Sequence, residues 1–343
     1  MIKAESLAKD LPSLPLHPAG LIWPTEDWPV GNMPSLKIQQ LADEIFDLQG
    51  AQGVTHALLI FQAAKCCYER YDAGANPIYL QYSWSMAKSI THALVGILVR
   101  QGRLDLYAPA PVPEWQNDER VHITLDQLLR MTSGLAFEED YVDGQASDVI
   151  PMLMGEGRHD MGAFAASKPL ANKPGTVWSY SSGTTNIICR ILKTVVGDGA
   201  SGMLRFMNDE LFEPIGITSA TPKFDTSGTF IGSSFLLAIP RDFARFGLLY
   251  LRNGIWDGRE ILPPGWVDYA RTPTYQDDEQ CYGAHWWLRR QKPEWFYCGG
   301  YDGQTILCIP EKDAIIVRCG RTPEEEFPYV SERIDKIGAL LPF

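Results

Sequence analysis

Ser85 and Lys88, in the stretch S-W-S-M-A-K-S at 83–89, are the residues whose types and spacing most directly suggest chemistry. A serine hydroxyl becomes a useful nucleophile when a nearby base takes its proton. A lysine amine can be that base only if its surroundings lower its pKa from about 10.4. Three residues apart on a helix, the two side chains share a face, with Cβ atoms roughly 5–6 Å apart. Spacing alone is unspecific, since S-L-A-K at 6–9 has it too. The elements behind each pair separate the two.

From Met86 onward, Met86, Ile90, Ala93, Leu94, Ile97 and Leu98 recur at steps of three and four, and Trp84, Val95 and Val99 fill the other sides. A helix apolar nearly all round belongs in the interior. Ser85 stands where the strand-like or loop segment YLQYSW passes into this helix. Free N–H groups of the first turn and the helix dipole favour developing negative charge there. Lys88 has no easy route to water, and desolvation lowers its pKa. The bland alternative is a lysine that snorkels to the surface near a helix end. Ser6 and Lys9 lack such a helix; prolines follow at 12, 15 and 18.

Two other segments favour the catalytic reading. KPGTVWSY brings Tyr180 to a turn just before the helical pattern at 184–196. CGGYDGQ (298–304) puts two glycines on an apparent strand, where a substrate could approach the backbone closely.

The 343-residue chain carries a formal net charge of −12, which argues against a nucleic-acid or anionic-membrane partner. No window approaches the roughly 18 apolar residues of a membrane span. The first twenty residues are broken by prolines and charges and do not read as a secretory signal. The seven cysteines (66, 67, 189, 281, 298, 308 and 319) form no C-x-x-C and read as reduced thiols in the cytoplasm. A periplasmic origin stays open for a chain whose leader has been removed. No two of the six histidines lie at i, i+4, and His92 on the apolar helix reads as a core residue. Neither metal nor other cofactor is expected, and the oligomeric state is not legible. GDGASG (197–202) formally matches a dinucleotide fingerprint, but the apolar spacing before it is helical, which makes Gly197 a helix C-cap. G-x-S-x-G, H-E-x-x-H and Walker sequences are absent.

Residues 1–35 form a proline-rich arm. A helix is expected over 36–48, strands over 54–62 and near 65–72, helices and loops over 100–220, and three strands within 294–320. A closing helix follows at 331–341. This order predicts an α+β fold: a central antiparallel sheet built from both chain ends and flanked by helices, with a mostly helical insertion. The expected division is an α/β domain of 36–90 and 215–343 and a helical domain of 91–214, with the active site at their interface.

In this order, SMAK, Tyr180-Ser181-Ser182 and Cys298-Gly299-Gly300 resemble the S-x-x-K, Y-x-N/S and K-T-G elements of the serine β-lactamase and penicillin-recognising superfamily. LLRMTSGLAFEEDYVDGQASDV (128–149), WSYSSGTTN, GSSFLLAIPRDFARFGLLYL (232–251) and GGYDGQ look like its carboxylesterase and 6-aminohexanoate-oligomer hydrolase branch. The similarity runs from about residue 20 to the end, and it implies the β-lactamase/transpeptidase-like fold.

The resemblance implies that Ser85 is the nucleophile and that Lys88 and Tyr180 share the proton transfers, either as lysine base or as lysine-supported phenolate. Tyr180 is the leaving-group acid in both versions. It implies an oxyanion hole from the backbone N–H groups of Ser85 and Tyr301. Tyr141, Ser182, Cys298, Gly300 and His285 are then expected at the substrate. Two positions depart from the pattern. K-T-G has become Cys298-Gly-Gly, without the lysine that would meet a β-lactam carboxylate, and the asparagine of Y-x-N is Ser182. The expected activity is cleavage of small esters and linear amides. A penicillin-recognising peptidase or weak β-lactamase is the enzyme alternative, and a silent binding protein on the same fold is the other.

Overall fold

The computed structural model describes residues 11–47, 53–141, 147–279, 281–289 and 292–343. Two strands follow an N-terminal helix: α1 (Leu36–Phe46), β1 (Val54–Gln62) and β2 (Lys65–Tyr71). β3 (Gln81–Tyr82) then leads through a 3-10 turn at Trp84–Met86 into α2 (Ala87–Arg100). The middle of the chain is helical, with α3 (Leu125–Leu129), α4 (Val149–Met154), α5 (Met161–Ala166), α6 (Ser182–Val196) and α7 (Gly199–Met207). After β4 (Thr221–Pro222) and β5 (Leu236–Ala238) come α8 (Pro240–Leu251), the hairpin of β6 (Ile255–Trp256) and β7 (Arg259–Glu260), and α9 (Trp266–Arg271). The chain closes with β8 (Trp287–Arg289), β9 (Lys292–Gly300), β10 (Gln304–Ile309), β11 (Ala314–Arg321) and α10 (Phe327–Leu340).

Six strands make one antiparallel sheet in the order β2-β1-β11-β10-β9-β8, which joins the two chain ends as the element order predicts. Its inner strands β1, β10 and β11 are apolar on both faces because both are covered. Leu58, Ile60, Trp295, Leu307 and Ile316 face α1 and α10, packing on Ile38, Ile45, Ile334 and Ile337. Leu59, Phe61, Phe296, Cys298, Ile306 and Val317 face the larger core that contains α2 and α8. Gly197 ends α6 with φ at 86°, so GDGASG is a helix-to-helix junction with no strand before it.

Residues 11–35 make almost no regular structure and are held from outside. Arginines of the body donate to their carbonyls: Arg271 to Pro12 O (2.6 Å), Arg252 to Pro15 O (3.3 Å) and Arg245 to Pro24 O (2.7 Å). Proline-rich backbone leaves carbonyls without internal donors, and these arginines supply them. Near its end the segment lies along β2, with Gly31 N–H donating to Cys66 O and Cys66 N–H to Pro29 O. This covers an otherwise open sheet edge. Ser6 and Lys9 lie outside the described residues.

Candidate active site

Ser85 sits in the 3-10 turn that leads into α2, and its neighbour Trp84 has φ at +44°, in a region that a bulky residue seldom occupies. Lys88 lies in the first turn of α2 and is only 2% exposed. Its Nζ has three partners: Ser85 Oγ at 3.0 Å, Ser182 Oγ at 2.9 Å and the carbonyl of Ser233 at 2.9 Å. Burial pushes the amine from 10.5 down to about 8, and the nearby Glu139 carboxylate pulls the other way. Desolvation wins. That difference is worth about 3 kcal/mol between the charged and neutral forms.

Three neighbours suit either protonation state. As an ammonium, Lys88 donates to all three. As an amine, it donates to Ser182 Oγ and the Ser233 carbonyl and turns its lone pair to the Ser85 hydroxyl. A group with a pKa of about 8 in this geometry can take the Ser85 proton near neutral pH.

Ser182 opens α6. The helix is capped by Ser181 Oγ, which accepts from Thr184 N–H at 3.0 Å. Glu139 supplies a second device at the same helix end. Its Oε2 accepts the Ser182 N–H at 2.8 Å and its Oε1 the Ser182 hydroxyl at 2.6 Å. A carboxylate at a helix N-terminus is favoured by the dipole. The Tyr141 hydroxyl donates to the same Oε1 at 2.8 Å. Ser85, Lys88, Ser182, Glu139 and Tyr141 thus form one continuous chain of hydrogen bonds.

Tyr180 precedes that helix and packs against Trp287 and Tyr282, with ring centroids at 5.2 and 5.8 Å. Lys88 Nζ stands over its ring, 4.7 Å from the centroid. Burial, then the Glu139 charge, push the phenol well above its usual value. Tyr180 is therefore a protonated phenol at neutral pH.

Gly300 ends β9 against the turn that carries Ser85. A Cβ there would stand 2.4 Å from the Ser83 carbonyl oxygen, so the approach requires glycine. Tyr301 follows directly, its ring 5.5 Å from Trp84 and 5.7 Å from Tyr141. Tyr141 is 45% exposed beside it.

Two expected substrate-binding residues lie elsewhere. Cys298 is 1% exposed and points into the core face of β9. The pleat explains this: Cys298 shares the face of Phe296, toward the helices. His285 is buried with both ring nitrogens engaged, Nδ1 to the Leu129 carbonyl at 2.7 Å and Nε2 to Thr185 Oγ1 at 3.0 Å. It pins internal segments together and presents no free nitrogen to a cleft. Conversely, Glu139 and the Ser233 carbonyl were not anticipated. Glu139 stands in E-E-D-Y with no spacing that ties it to Ser182, and a backbone carbonyl carries no side-chain signal. Among the described residues no group of histidines, cysteines and carboxylates is arranged to hold a metal ion.

Comparison with known proteins bears on the family and the fold. A 6-aminohexanoate-dimer hydrolase of Paenarthrobacter ureafaciens is 25% identical over 319 residues, covering 85% of this chain and 80% of the relative. A solved Bacillus anthracis structure, provisionally named a 6-aminohexanoate-dimer hydrolase, superposes with a TM-score of 0.75 at 22% identity, covering 98% of this chain and 93% of that one. A family VIII carboxylesterase structure superposes with a TM-score of 0.63 at 12% identity, over 90% of this chain and 99% of the other. Residues 80–337 match the family model described as Beta-lactamase, and the chain belongs to that family, as a serine hydrolase.

Proposed function

We propose that the protein cleaves small carboxylic esters and linear amides through an acyl-enzyme on Ser85. The observation that carries this reading is the buried Lys88 amine 3.0 Å from Ser85 Oγ, held between two other acceptors and pushed down to about 8. The carboxylesterase neighbour supports esters, and the likeness to 6-aminohexanoate-dimer hydrolase supports amides.

In the proposed mechanism Lys88 takes the Ser85 proton as Oγ attacks the carbonyl carbon. Negative charge on the carbonyl oxygen is met by the N–H groups of Ser85 and Tyr301. One such donor is typically worth about 3–4 kcal/mol of barrier. Collapse breaks the bond to the leaving group, which receives the Tyr180 proton, and the Lys88 ammonium then returns a proton to Tyr180. A water next attacks the acyl carbon and gives its proton to Lys88. Ser85 leaves as the hydroxyl by taking that proton back. Tyr141 and the Trp84 and Tyr301 rings form the rim at which an apolar substrate rests.

The test is a screen of p-nitrophenyl butyrate, linear amide oligomers and nitrocefin, together with fluorophosphonate labelling. Ester turnover with one stoichiometric label on Ser85 is expected. Labelling that persists in Ser85→Ala would overturn the assignment.

A further inference from the structure

Arg318, in the middle of β11, is fully buried, and the mechanism does not use it. Among the described residues no carboxylate lies within ion-pair distance of it. Burial lowers its pKa to about 10, so it remains a cation at neutral pH. A buried charge without a counter-ion is costly and persists only where the surrounding dipoles over-determine it.

Those dipoles come from two places. On β1, Thr55 Oγ1 accepts from Arg318 Nη2 at 3.0 Å and from Nε at 3.3 Å, and the Val54 carbonyl accepts from Nη2 at 3.3 Å. On the turn between β9 and β10, the carbonyls of Asp302 and Gly303 accept from Nη1 at 2.8 and 3.3 Å. Gln304 adds a third grip, its Nε2 donating to the Tyr301 carbonyl at 3.2 Å. Gln304 is itself fastened to β11, where Gly320 N–H donates to its Oε1 at 3.0 Å and its Nε2 donates to the Gly320 carbonyl. Three successive carbonyls, 301 to 303, are thus held by two side chains anchored on β11.

A surface turn between strands does not need this, because water satisfies its carbonyls. Here Asp302 and Gly303 are both left-handed, with φ at 63° and 78°, and the turn is tied down from the protein side. What the turn carries is the peptide of Tyr301, immediately after the Gly300 approach to Ser83. We propose that Arg318, with Gln304, is the positioning residue of the oxyanion hole: it fixes the 301–303 turn so that the Tyr301 N–H points at the developing oxyanion beside Ser85. The inference rests on the acyl-enzyme reading given above. A donor displaced by about 1 Å can lose about 10²-fold in rate even when the mutated group never meets substrate.

The test uses the full-length enzyme with Arg318→Lys, Arg318→Met and Gln304→Met, each checked for wild-type-like circular dichroism. Three quantities are read. They are kcat and KM for p-nitrophenyl butyrate, the inhibition constant of an alkylboronic acid that forms a tetrahedral adduct on Ser85, and the inhibition constant of butyrate. The expected result is a fall in kcat of about 10- to 100-fold for Arg318→Met, with KM within about threefold. Boronate affinity should fall by a similar factor, and butyrate affinity should stay put. Arg318→Lys should recover part of the loss, because it keeps the charge but not the two-armed grip. If Arg318→Met does not fold, the folded Gln304→Met must show the same parallel fall. Unchanged boronate affinity in a folded variant, or equal losses of boronate and butyrate affinity, overturns the proposal. A wild-type enzyme without Ser85-dependent ester turnover would sink the hydrolase reading instead, which keeps the two failures apart.

Discussion

Glu139 and Lys88 are joined through a single hydroxyl: Ser182 Oγ accepts from Lys88 Nζ at 2.9 Å and donates to Glu139 Oε1 at 2.6 Å. The carboxylate stabilises the ammonium without touching it, while burial does the opposite and prevails. Two opposed effects of this kind leave the amine titrating near neutrality, where a general base is most useful.

The pH profile should show it. With neutral Lys88 as the base, kcat/KM for p-nitrophenyl butyrate should rise with pH through a midpoint near the amine's pKa of about 8. Replacing Glu139 by Gln removes negative charge that favours the ammonium, so the midpoint should move to lower pH. A pH–rate profile of the two proteins decides this, and a midpoint that stays put or rises in Glu139→Gln contradicts the role given to Glu139.

Tyr180→Phe should distinguish leaving groups. An amine or alkoxide departs badly without a proton, whereas p-nitrophenolate is stable unprotonated. Loss of a general acid is worth about 10²–10⁴-fold, so amide and alkyl-ester cleavage should fall by that order while p-nitrophenyl esters suffer much less. Lys88→Ala should damage both classes, since attack itself needs the Ser85 proton removed. Groups acting as a unit are not additive, and the double variant should be little worse than the worse single one. Equal losses for both leaving groups in Tyr180→Phe would refute its role as acid.

Short-chain esters should be turned over far better than cephalosporins. The β9 position at which the resemblance calls for a lysine carries Cys298, which is turned into the core. Substituting Cys298→Lys should therefore destabilise the protein by several kcal/mol, as buried unpaired charge does, and should not create a carboxylate site. Nitrocefin and p-nitrophenyl butyrate rates, with urea titrations of the variant, check both halves.

Acid stability should depend on His285. Burial holds this imidazole to about 3, against 6.5 for an exposed histidine. The unfolded chain takes up a proton that the native site refuses, so stability falls as pH drops below about 6.5 and levels off only near the folded value. At pH 5 one such group contributes about 2 kcal/mol of destabilisation relative to pH 8. His285→Asn, which tolerates the positive φ of this position, should lose less between pH 8 and pH 5 than the wild type. Urea midpoints at the two pH values measure this difference, and equal losses would deny His285 its share.

Much of the frame was legible because it depends on neighbours in sequence. VTHALLIFQ is a strand over the expected residues, 54–62, and the all-round apolar pattern after Met86 forms a buried helix. Ser85 and Lys88 are three residues apart, so their meeting followed from helical geometry. The partners that complete the site are not local. Ser182 is 94 residues from Lys88, the Ser233 carbonyl is 145 away, and Glu139 reaches Ser182 across 43. No periodicity carries such pairings. Cys298 and His285 were misjudged for a related reason. Motif order places a residue on a strand or near one, but the pleat and the packing of other segments decide which way its side chain turns.

Lys88 meets bulk water through neither its helix nor the core, and the one partner on its open side is Ser85. In the proposed mechanism, when substrate covers the serine, the captured proton is handed on through neighbouring hydroxyls, and the Ser182 hydroxyl also links Lys88 through Glu139 to the partly exposed Tyr141. The reaction so proposed would pass its hydrogens in sequence: what leaves Ser85 in the first half is owed to Tyr180, and what water surrenders in the second half goes back to Ser85. Under that mechanism acylation and deacylation would be coupled, because a second turnover cannot begin with the base in the wrong state.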